Sequence, residues 1–290
     1  MRPPIFIIGN PRSGTTLLRL MVNNHRHIIV PPECGFAVWW YDKYRHWGID
    51  SSRDPQLLDG FLADLAASKK IETWNLDYVA LRDAIAANQP ASYAELVACI
   101  YTFFGHTTGK TFQRWGDKNN FYIQHIATLA AMFPDAAYVH IVRDGRDVAC
   151  SYRKLAVTPM DSKYAPHLAT DIAAIAAEWA DNNDQATSAF DAAGRERVCI
   201  VRYEDLVTNS ETELRRLCAF LAEPYDEQML EYYLWNRKAH QEPLEFLQWK
   251  RKTLEMPTDS EVGKYRSLLT AEEIAVFDRI AGATLARYGY

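Results

Sequence analysis

The clearest hydrophobic pattern in the chain is a short apolar run that leads through a turn into a helix. Ile5-Phe6-Ile7-Ile8 has no polar residue, as is typical of a strand buried on both faces of a parallel sheet. The next segment, Gly9-Asn10-Pro11-Arg12-Ser13-Gly14, predicts a turn, and apolar residues at helical spacing follow in residues 15–24. The pattern predicts a strand, a loop bounded by glycines and a helix in direct succession.

Similar units recur further along the chain. Apolar runs at 138–142 and 198–201 predict two more strands, each followed by a polar turn and a helix, and Ile28-Ile29-Val30 predicts a shorter strand. The remaining apolar periodicity predicts helices at 56–69, 77–88, 92–104, 120–132, 170–191, 211–221 and 271–287.

Strands that alternate with helices indicate an α/β protein with a parallel central sheet and helices on both faces. Ligands in such sheets bind beyond the carboxyl ends of the strands, so the turns after residues 8, 142 and 201 should open on one face. No linker stands out. We therefore predict one domain over residues 1–290, with helical insertions at about 35–110 and 155–192.

Composition and charge restrict the partners. Among 290 residues, 32 Lys and Arg face 37 Asp and Glu, which gives a formal net charge of −5. This charge argues against a protein that coats nucleic acid through bulk positive charge, and we expect no nucleic-acid partner. It leaves a small local anion site open.

Cysteine usage and hydropathy indicate a cytoplasmic protein. The 5 cysteines are scattered without a CxxC pair, which favours reduced thiols over disulfides or a zinc site. No apolar stretch approaches the roughly 20 residues of a membrane span. His25 and His27 occur without an HExxH pattern, so we predict no metal. The oligomeric state is left open.

The glycine-bounded loop has the chemistry of a phosphate site. Amide groups at a helix N-terminus bind phosphate, and the glycines allow a tight turn. A nucleoside triphosphatase loop would place Lys directly after the second glycine, where this chain has Thr15. Arg12 is the only cation in the loop, which therefore suits one phosphate better than a triphosphate with magnesium.

A second anion site is predicted after the strand at 138–142. Arg143 stands at the strand end, and Ser151 follows about two helical turns later. Arg can donate two hydrogen bonds to a phosphate while Ser donates a third, although Arg143 and Asp144 could also form a surface pair. Two separate sites would accommodate a nucleotide with both 5′ and 3′ phosphates.

These motifs resemble those of sulfotransferases that use 3′-phosphoadenylyl sulfate (PAPS). Pro11-Arg12-Ser13-Gly14-Thr15-Thr16 is similar to the family's 5′-phosphosulfate loop, in the form that bacterial and tyrosylprotein-type members carry. Arg143 and Ser151 resemble the family's 3′-phosphate pair. The resemblance implies a P-loop-like nucleotide-binding fold, and PAPS as co-substrate with 3′,5′-ADP (PAP) as product. Cofactor contacts are implied at Arg12, Ser13, Gly14, Thr15, Thr16, Arg143 and Ser151.

The same resemblance implies roles for five further residues. Glu33 would be the general base, and Lys118, in Trp115-Gly116-Asp117-Lys118-Asn119, would stabilise the transferred sulfonate together with Arg12. Tyr203 would lie beside the adenine, and Ser260 and Lys264 belong to a segment that resembles one closing over the cofactor. The acceptor would be a hydroxyl of a small molecule, a carbohydrate or a peptide, without a metal.

Two other functions remain open from the residues. A P-loop kinase or nucleotidase would need Lys118 or Arg12 to reach the phosphates and Asp144 to hold a metal. The second alternative is a protein with the same fold that binds a nucleotide without catalysing a reaction. The aromatic residues in 36–47 predict either an acceptor pocket or the core of an inserted helical hairpin.

Overall fold

A parallel sheet of five strands lies at the centre of the protein, which a computed structural model describes over residues 1–290. The order across the sheet is β2-β3-β1-β4-β5, and every pairing is parallel. The strands are β1 Ile5–Ile8, β2 Ile28–Ile29, β3 Arg114–Lys118, β4 Ala137–Val142 and β5 Val198–Arg202.

Helices fill the connections between the strands. The first ten are α1 Thr15–Asn23, α2 Phe36–Trp39, α3 Tyr41–Tyr44, α4 Ile49–Arg53, α5 Pro55–Ala66, α6 Tyr78–Asn88, α7 Tyr93–Thr107, α8 Ile126–Met132, α9 Gly145–Ala156 and α10 Ile172–Ala193. The others are α11 Tyr203–Thr208, α12 Ser210–Phe220, α13 Tyr232–Ala239, α14 Leu247–Lys250, α15 Tyr265–Leu268 and α16 Ala271–Arg287. Short 3₁₀ turns occur at Ile71–Trp74, Asn120–His125, Arg195–Arg197, Glu227–Glu231, Leu244–Phe246, Arg251–Leu254 and Asp259–Glu261.

Helices cover both faces of the sheet, as the apolar runs predict. Along β1, Phe6 and Ile8 belong to one hydrophobic cluster, and Ile5 and Ile7 belong to another. Alternate residues of a strand point to opposite faces, so these clusters lie on the two sides of the sheet. The first contains residues of α2, α3, α5–α8 and α10, and the second contains residues of α1 and α11–α13. The predicted α/β class is confirmed.

The helices α2–α7 lie between β2 and β3, in the segment predicted as an insertion. Its aromatic residues mainly build core: Tyr44 and Trp47 are buried, with ring centres 5.0 and 5.5 Å from that of Phe61. Trp39 is exposed. The division of the chain into one domain stays a prediction.

The hydrophobic pattern did not predict β3. Its sequence, Arg-Trp-Gly-Asp-Lys, carries three charged residues, yet all five residues are buried. Their partners lie outside the strand: Asp117 accepts hydrogen bonds from Tyr101 and Tyr122, and Arg114 pairs with Glu223. The helix predicted at 120–132 also differs, because residues 120–125 form a 3₁₀ turn before α8.

Neighbouring strands bring the predicted site segments to one edge of the sheet. The carboxyl ends of β3, β1, β4 and β5 are adjacent, so residues 119, 9, 143 and 203 start from the same edge. The prediction that the three turns open on one face is confirmed. None of the helices combines the length and apolar character needed to span a membrane.

Candidate active site

The loop between β1 and α1 passes close to its neighbours at both glycines. A Cβ on Gly9 would lie 2.4 Å from the carbonyl oxygen of Ile141 in β4. Gly14 has φ +92°, and a Cβ there would lie 2.5 Å from Cδ2 of Tyr203. The loop therefore needs glycine at both ends, because any larger residue would displace the adjacent strand end.

A polar network fixes the loop from behind. The Asn10 side chain donates to the Tyr152 hydroxyl at 3.1 Å and accepts from Asn182 at 2.7 Å. Tyr152 in turn donates to Glu178 at 3.0 Å. Helices α9 and α10 thus hold the first polar residue of the loop in one orientation.

Arg12 joins the two predicted anion sites. Its Nε donates to the Ser151 hydroxyl at 3.1 Å, and its carbonyl accepts from Arg143 Nη1 at 3.2 Å. Arg143 also donates to the carbonyl of Glu261 at 2.8 Å, and its guanidinium carbon lies 4.6 Å from the ring centre of Tyr203. The structure places Arg143 and Ser151 on either side of Arg12 and gives no direct bond between them. Burial, together with the charge of Arg143, lowers the pKa of Arg12 to about 10.

A cleft of about 320 Å³ opens above these residues, a volume suited to a small ligand. Eight of the predicted cofactor residues line it: Arg12, Gly14, Thr15, Thr16, Arg143, Ser151, Tyr203 and Ser260. We call this space the nucleotide cleft. Two predicted residues are placed differently. The Ser13 hydroxyl is buried in the loop without a hydrogen-bond partner, and Lys264 pairs with Glu261, which lines the cleft although Lys264 does not.

A smaller cleft of about 180 Å³ contains the predicted base. Glu33 Oε1 accepts from Lys70 Nζ at 2.6 Å, and Oε2 accepts from Lys118. Burial alone would raise the pKa of Glu33, but Lys118, Lys70 and Lys250 outweigh it and hold that pKa well below its usual value. Glu33 is therefore a carboxylate between two ammonium groups. We call this space the base cleft.

Lys70 and Lys250 were absent from the sequence prediction. Lys70 belongs to the insertion, and its Nζ lies 5.5 Å from the ring centre of Phe246, which follows α13. Lys250 lines both clefts. The only sequence features that could have indicated these two lysines are the pair Lys69-Lys70 and the basic run 250–252 after Trp249. Neither of them resembles a known motif.

The acidic residue required by the kinase alternative is already engaged. Asp144 caps α9 by accepting from the Arg146 backbone at 2.9 Å, and its carboxylate pairs with the Arg146 guanidinium at 2.9 Å. A metal ligand at this position would have to give up both contacts. The geometry gives phosphoryl transfer no support at Asp144.

Sequence comparison identifies the family. The sequence profile of the sulfotransferase family matches residues 3–227. The chain belongs to the sulfotransferase family. Protein-tyrosine sulfotransferase A of Caenorhabditis elegans is 26% identical to this sulfotransferase over 99% of the chain and 67% of the relative. Nodulation protein NoeE of Sinorhizobium fredii is 25% identical over 97% of the chain and 64% of the relative.

Protein-tyrosine sulfotransferase 1 of Danio rerio is 26% identical over 79% of this chain and 56% of the relative. Solved structures share the fold. The sulfotransferase domain of the Synechococcus PCC 7002 olefin synthase superposes with a TM-score of 0.60 at 23% identity, covering 97% of this chain and 96% of that domain. The sulfotransferase domain of the curacin biosynthetic pathway gives a TM-score of 0.51, also at 23% identity, covering 93% of this chain and 98% of that domain.

Proposed function

We propose that this sulfotransferase moves a sulfonate group from PAPS to a hydroxyl acceptor. The main observation that supports this proposal is that the two clefts meet at the loop between β1 and α1. Arg12, Thr15 and Thr16 line both the nucleotide cleft and the base cleft, which also contains Glu33. A donor held on one side and an acceptor held on the other would meet at this loop.

The residues of the nucleotide cleft fit an anionic nucleotide. Arg12 and Arg143 bring two positive charges into one partly buried space, and an anion between them would offset their repulsion. The Nε of Arg143 is buried without a hydrogen-bond partner in the protein. Phosphate oxygens accept charge-assisted hydrogen bonds from such groups, and the start of α1 adds backbone amides.

PAPS supplies a sulfonate that is already activated by its bond to the 5′-phosphate. The residues of this chain would bind, orient and neutralise charge around that bond. Arg12 would stabilise the charge that develops on the phosphate oxygen, and Lys118 would donate to the sulfonate. Glu33 would receive the proton of the acceptor hydroxyl.

The contacts of Glu33 support a base whose strength depends on its lysines. While Lys118 and Lys70 both donate to it, the low pKa of Glu33 makes it a weak proton acceptor. A sulfonate that attracts Lys118 would remove one of these donors and raise the pKa of Glu33. Donor binding would thus strengthen the base when the acceptor needs it.

The acceptor is proposed only as a hydroxyl compound: a small molecule, a carbohydrate or a peptide. The names of two relatives specify protein tyrosine. The base cleft is lined by Tyr164, Pro166, Leu168 and Trp249 beside its charged residues, and this mixture is compatible with each of these acceptors. A cytoplasmic location stays a prediction.

Transfer of labelled sulfonate tests the proposal. Purified protein is incubated with sulfur-labelled PAPS and a panel of phenols, sugars and tyrosine peptides, and labelled sulfate esters are measured. We expect product with the wild type and a loss of about a hundredfold or more with Glu33→Gln, which keeps the shape but removes the base. The affinity for 3′,5′-ADP should stay within about threefold, because Glu33 lies outside the nucleotide cleft.

Glu95→Gln, on the exposed start of α7, is the matched control and should retain full activity. Undiminished transfer by Glu33→Gln would rule out Glu33 as the base. If the protein binds ATP with magnesium but neither PAPS nor 3′,5′-ADP, the proposed function is wrong.

A further inference from the structure

A second segment, at the end of α14, also lines both the nucleotide cleft and the base cleft. Besides Arg12, Thr15 and Thr16, the only residues that line both clefts are Trp249 and Lys250 at the end of α14. A group passing from donor to acceptor must cross this junction. Lys250 therefore brings a positive charge to the boundary that the transferring group would cross.

A buried ion network holds Lys250 in this position. Its Nζ donates to Glu242 Oε1 at 2.5 Å, and Arg19 donates to Glu242 Oε2 at 2.7 Å. The backbone amide of Glu242 donates to the Asn236 side chain at 2.7 Å. Arg19 and Glu242 are each only 1% exposed, so the anchor is rigid and shielded from water.

Arg19 connects this anchor to the rest of the site. It lies on α1, which begins at the phosphate-binding loop, and it donates to the Val30 carbonyl at 2.9 Å. Val30 stands three residues before Glu33. One buried guanidinium thus ties together the loop helix, the segment that carries the base and the residue that holds Lys250.

The network leaves an excess of positive charge at the junction. Glu242 is shared by two cations, Arg19 and Lys250, and Glu33 is shared by two others. Buried ion pairs contribute little net stability, because desolvation offsets their attraction. A buried lysine that is only half-neutralised is therefore poorly explained by folding alone and well explained by an anion that it binds.

We propose that Lys250 is a third cation for the transferring sulfonate, beside Arg12 and Lys118, and that Glu242 and Arg19 are its positioning residues. The inference rests on the proposed function. During transfer the bond between sulfur and the phosphate oxygen breaks, and its electron pair stays on that oxygen. The acceptor oxygen forms the new bond to sulfur, and its proton goes to Glu33. Lys250 keeps its own proton and donates hydrogen bonds to sulfonate oxygens.

The comparison of PAPS with 3′,5′-ADP isolates this contact, because the two ligands differ by the sulfonate. Calorimetry without an acceptor measures both affinities for the wild type and Lys250→Met. We expect Lys250→Met to weaken PAPS binding about ten- to a hundredfold, as for a lost charge-assisted hydrogen bond, and 3′,5′-ADP binding less than threefold. Lys250→Arg should recover part of the PAPS affinity.

Two further variants separate a lost contact from a disturbed fold. Lys238→Met, an exposed lysine on α13, is the matched control and should leave both affinities unchanged. Lys250→Gln removes the positive charge but keeps a hydrogen-bond donor, and it leaves Glu242 paired with Arg19. This variant should keep a melting temperature near that of the wild type and still show the selective loss of PAPS affinity.

Other outcomes overturn the inference. Equal weakening of both ligands would assign Lys250 to a phosphate of the nucleotide, and unchanged PAPS binding would remove it from the site. If the wild type binds neither PAPS nor 3′,5′-ADP, the proposed function fails and this inference fails with it. If the wild type binds both ligands and the Lys250 variants bind them with unchanged affinities, only the role of Lys250 is wrong.

Discussion

At the scale of single residues, Arg143 connects the loop between β1 and α1 with the nucleotide cleft. Arg143 donates to two backbone carbonyls, those of Arg12 and Glu261, while its guanidinium plane lies over Tyr203. The same residue thus shapes the loop and faces the cleft. Because Arg143 resembles the family's 3′-phosphate residue, we predict that a change at Arg143 affects binding of the 3′-phosphate more than binding of the rest of the nucleotide.

Replacement of Arg143 tests this assignment. Arg143→Ala should lower the affinity for 3′,5′-ADP about ten- to a hundredfold, because a hydrogen bond to a charged group contributes about 1.5–3 kcal/mol. The affinity for 5′-AMP, which lacks the 3′-phosphate, should fall less. Arg146→Ala is the control, since Arg146 pairs with Asp144 and Asp278 outside the cleft. Equal losses for both nucleotides would contradict the 3′-phosphate role.

The charge of Lys250 also predicts a pH dependence. Burial lowers the pKa of Lys250 to about 8; Lys118 and Lys70 contribute to this, while Glu242 and Glu33 oppose it. In the proposed role Lys250 acts as a protonated ammonium, so kcat/KM should fall as the pH rises through about 8. Lys250→Arg stays protonated and should move this descending limb to higher pH. If the descending limb lies at the same pH in the wild type and in Lys250→Arg, the titrating group is not Lys250.

At the scale of elements, the loop between β1 and α1 works because β4 and α11 lie directly against its glycines. Gly14 faces the ring of Tyr203, the first residue of α11. A side chain at this point would push Tyr203 away from Arg143 and from the cleft. The loop and the end of β5 therefore behave as one unit.

Two glycine substitutions distinguish the effect of backbone strain at a positive φ from the effect of the steric contact with Tyr203. Gly14→Ala combines a positive φ with a Cβ 2.5 Å from Tyr203, so we expect about 2–4 kcal/mol of destabilisation and lost nucleotide binding. Gly109→Ala also has a positive φ, at +70°, but its Cβ would meet open space. Gly109→Ala should lower the free energy of unfolding by about 1–2 kcal/mol and leave nucleotide binding intact. Urea unfolding and calorimetry measure both effects, and equal behaviour of the two variants would show that strain alone matters.

The elements also explain how far the sequence could predict the fold. β1 and β4 are recognisable because their apolar residues are buried by other apolar residues on both faces. β3 is not, because its charged residues are buried through contacts that only the tertiary structure supplies: Asp117 accepts a hydrogen bond from Tyr101, and Lys118 pairs with Glu33. The spacing of apolar residues predicts which residues are buried among apolar neighbours. It does not predict which polar residue from another part of the chain will pair with a buried charge.

The same limit applies to the site. Arg12 and Glu33 were predicted because they stand in or beside a recognisable motif at a strand end. Lys70 and Lys250 enter the base cleft from the insertion and from α14, which approach it only after folding. The roles of all four residues stay predictions until the variants above are measured.

At the scale of the whole molecule, the net charge and the site have opposite signs. The formal charge is −5, whereas the lining of the base cleft contains four cations, Arg12, Lys70, Lys118 and Lys250, and one carboxylate, Glu33. Repulsion among these cations is part of the folded state and absent from the unfolded chain. An anion that binds only the folded state should therefore stabilise the entire protein.

Thermal unfolding with nucleotides measures this stabilisation. At a concentration about 100 times its Kd, a ligand adds about 2.7 kcal/mol, which for a chain of 290 residues is a rise in Tm of about 5 °C. We expect this rise with 3′,5′-ADP and a much smaller one with ATP and magnesium, because Thr15 occupies the position of the lysine that a triphosphate requires. Arg143→Ala should reduce the rise with 3′,5′-ADP at the same concentration. A larger rise with ATP and magnesium would mean that the loop binds a triphosphate, and the cations at the junction would then serve phosphoryl chemistry.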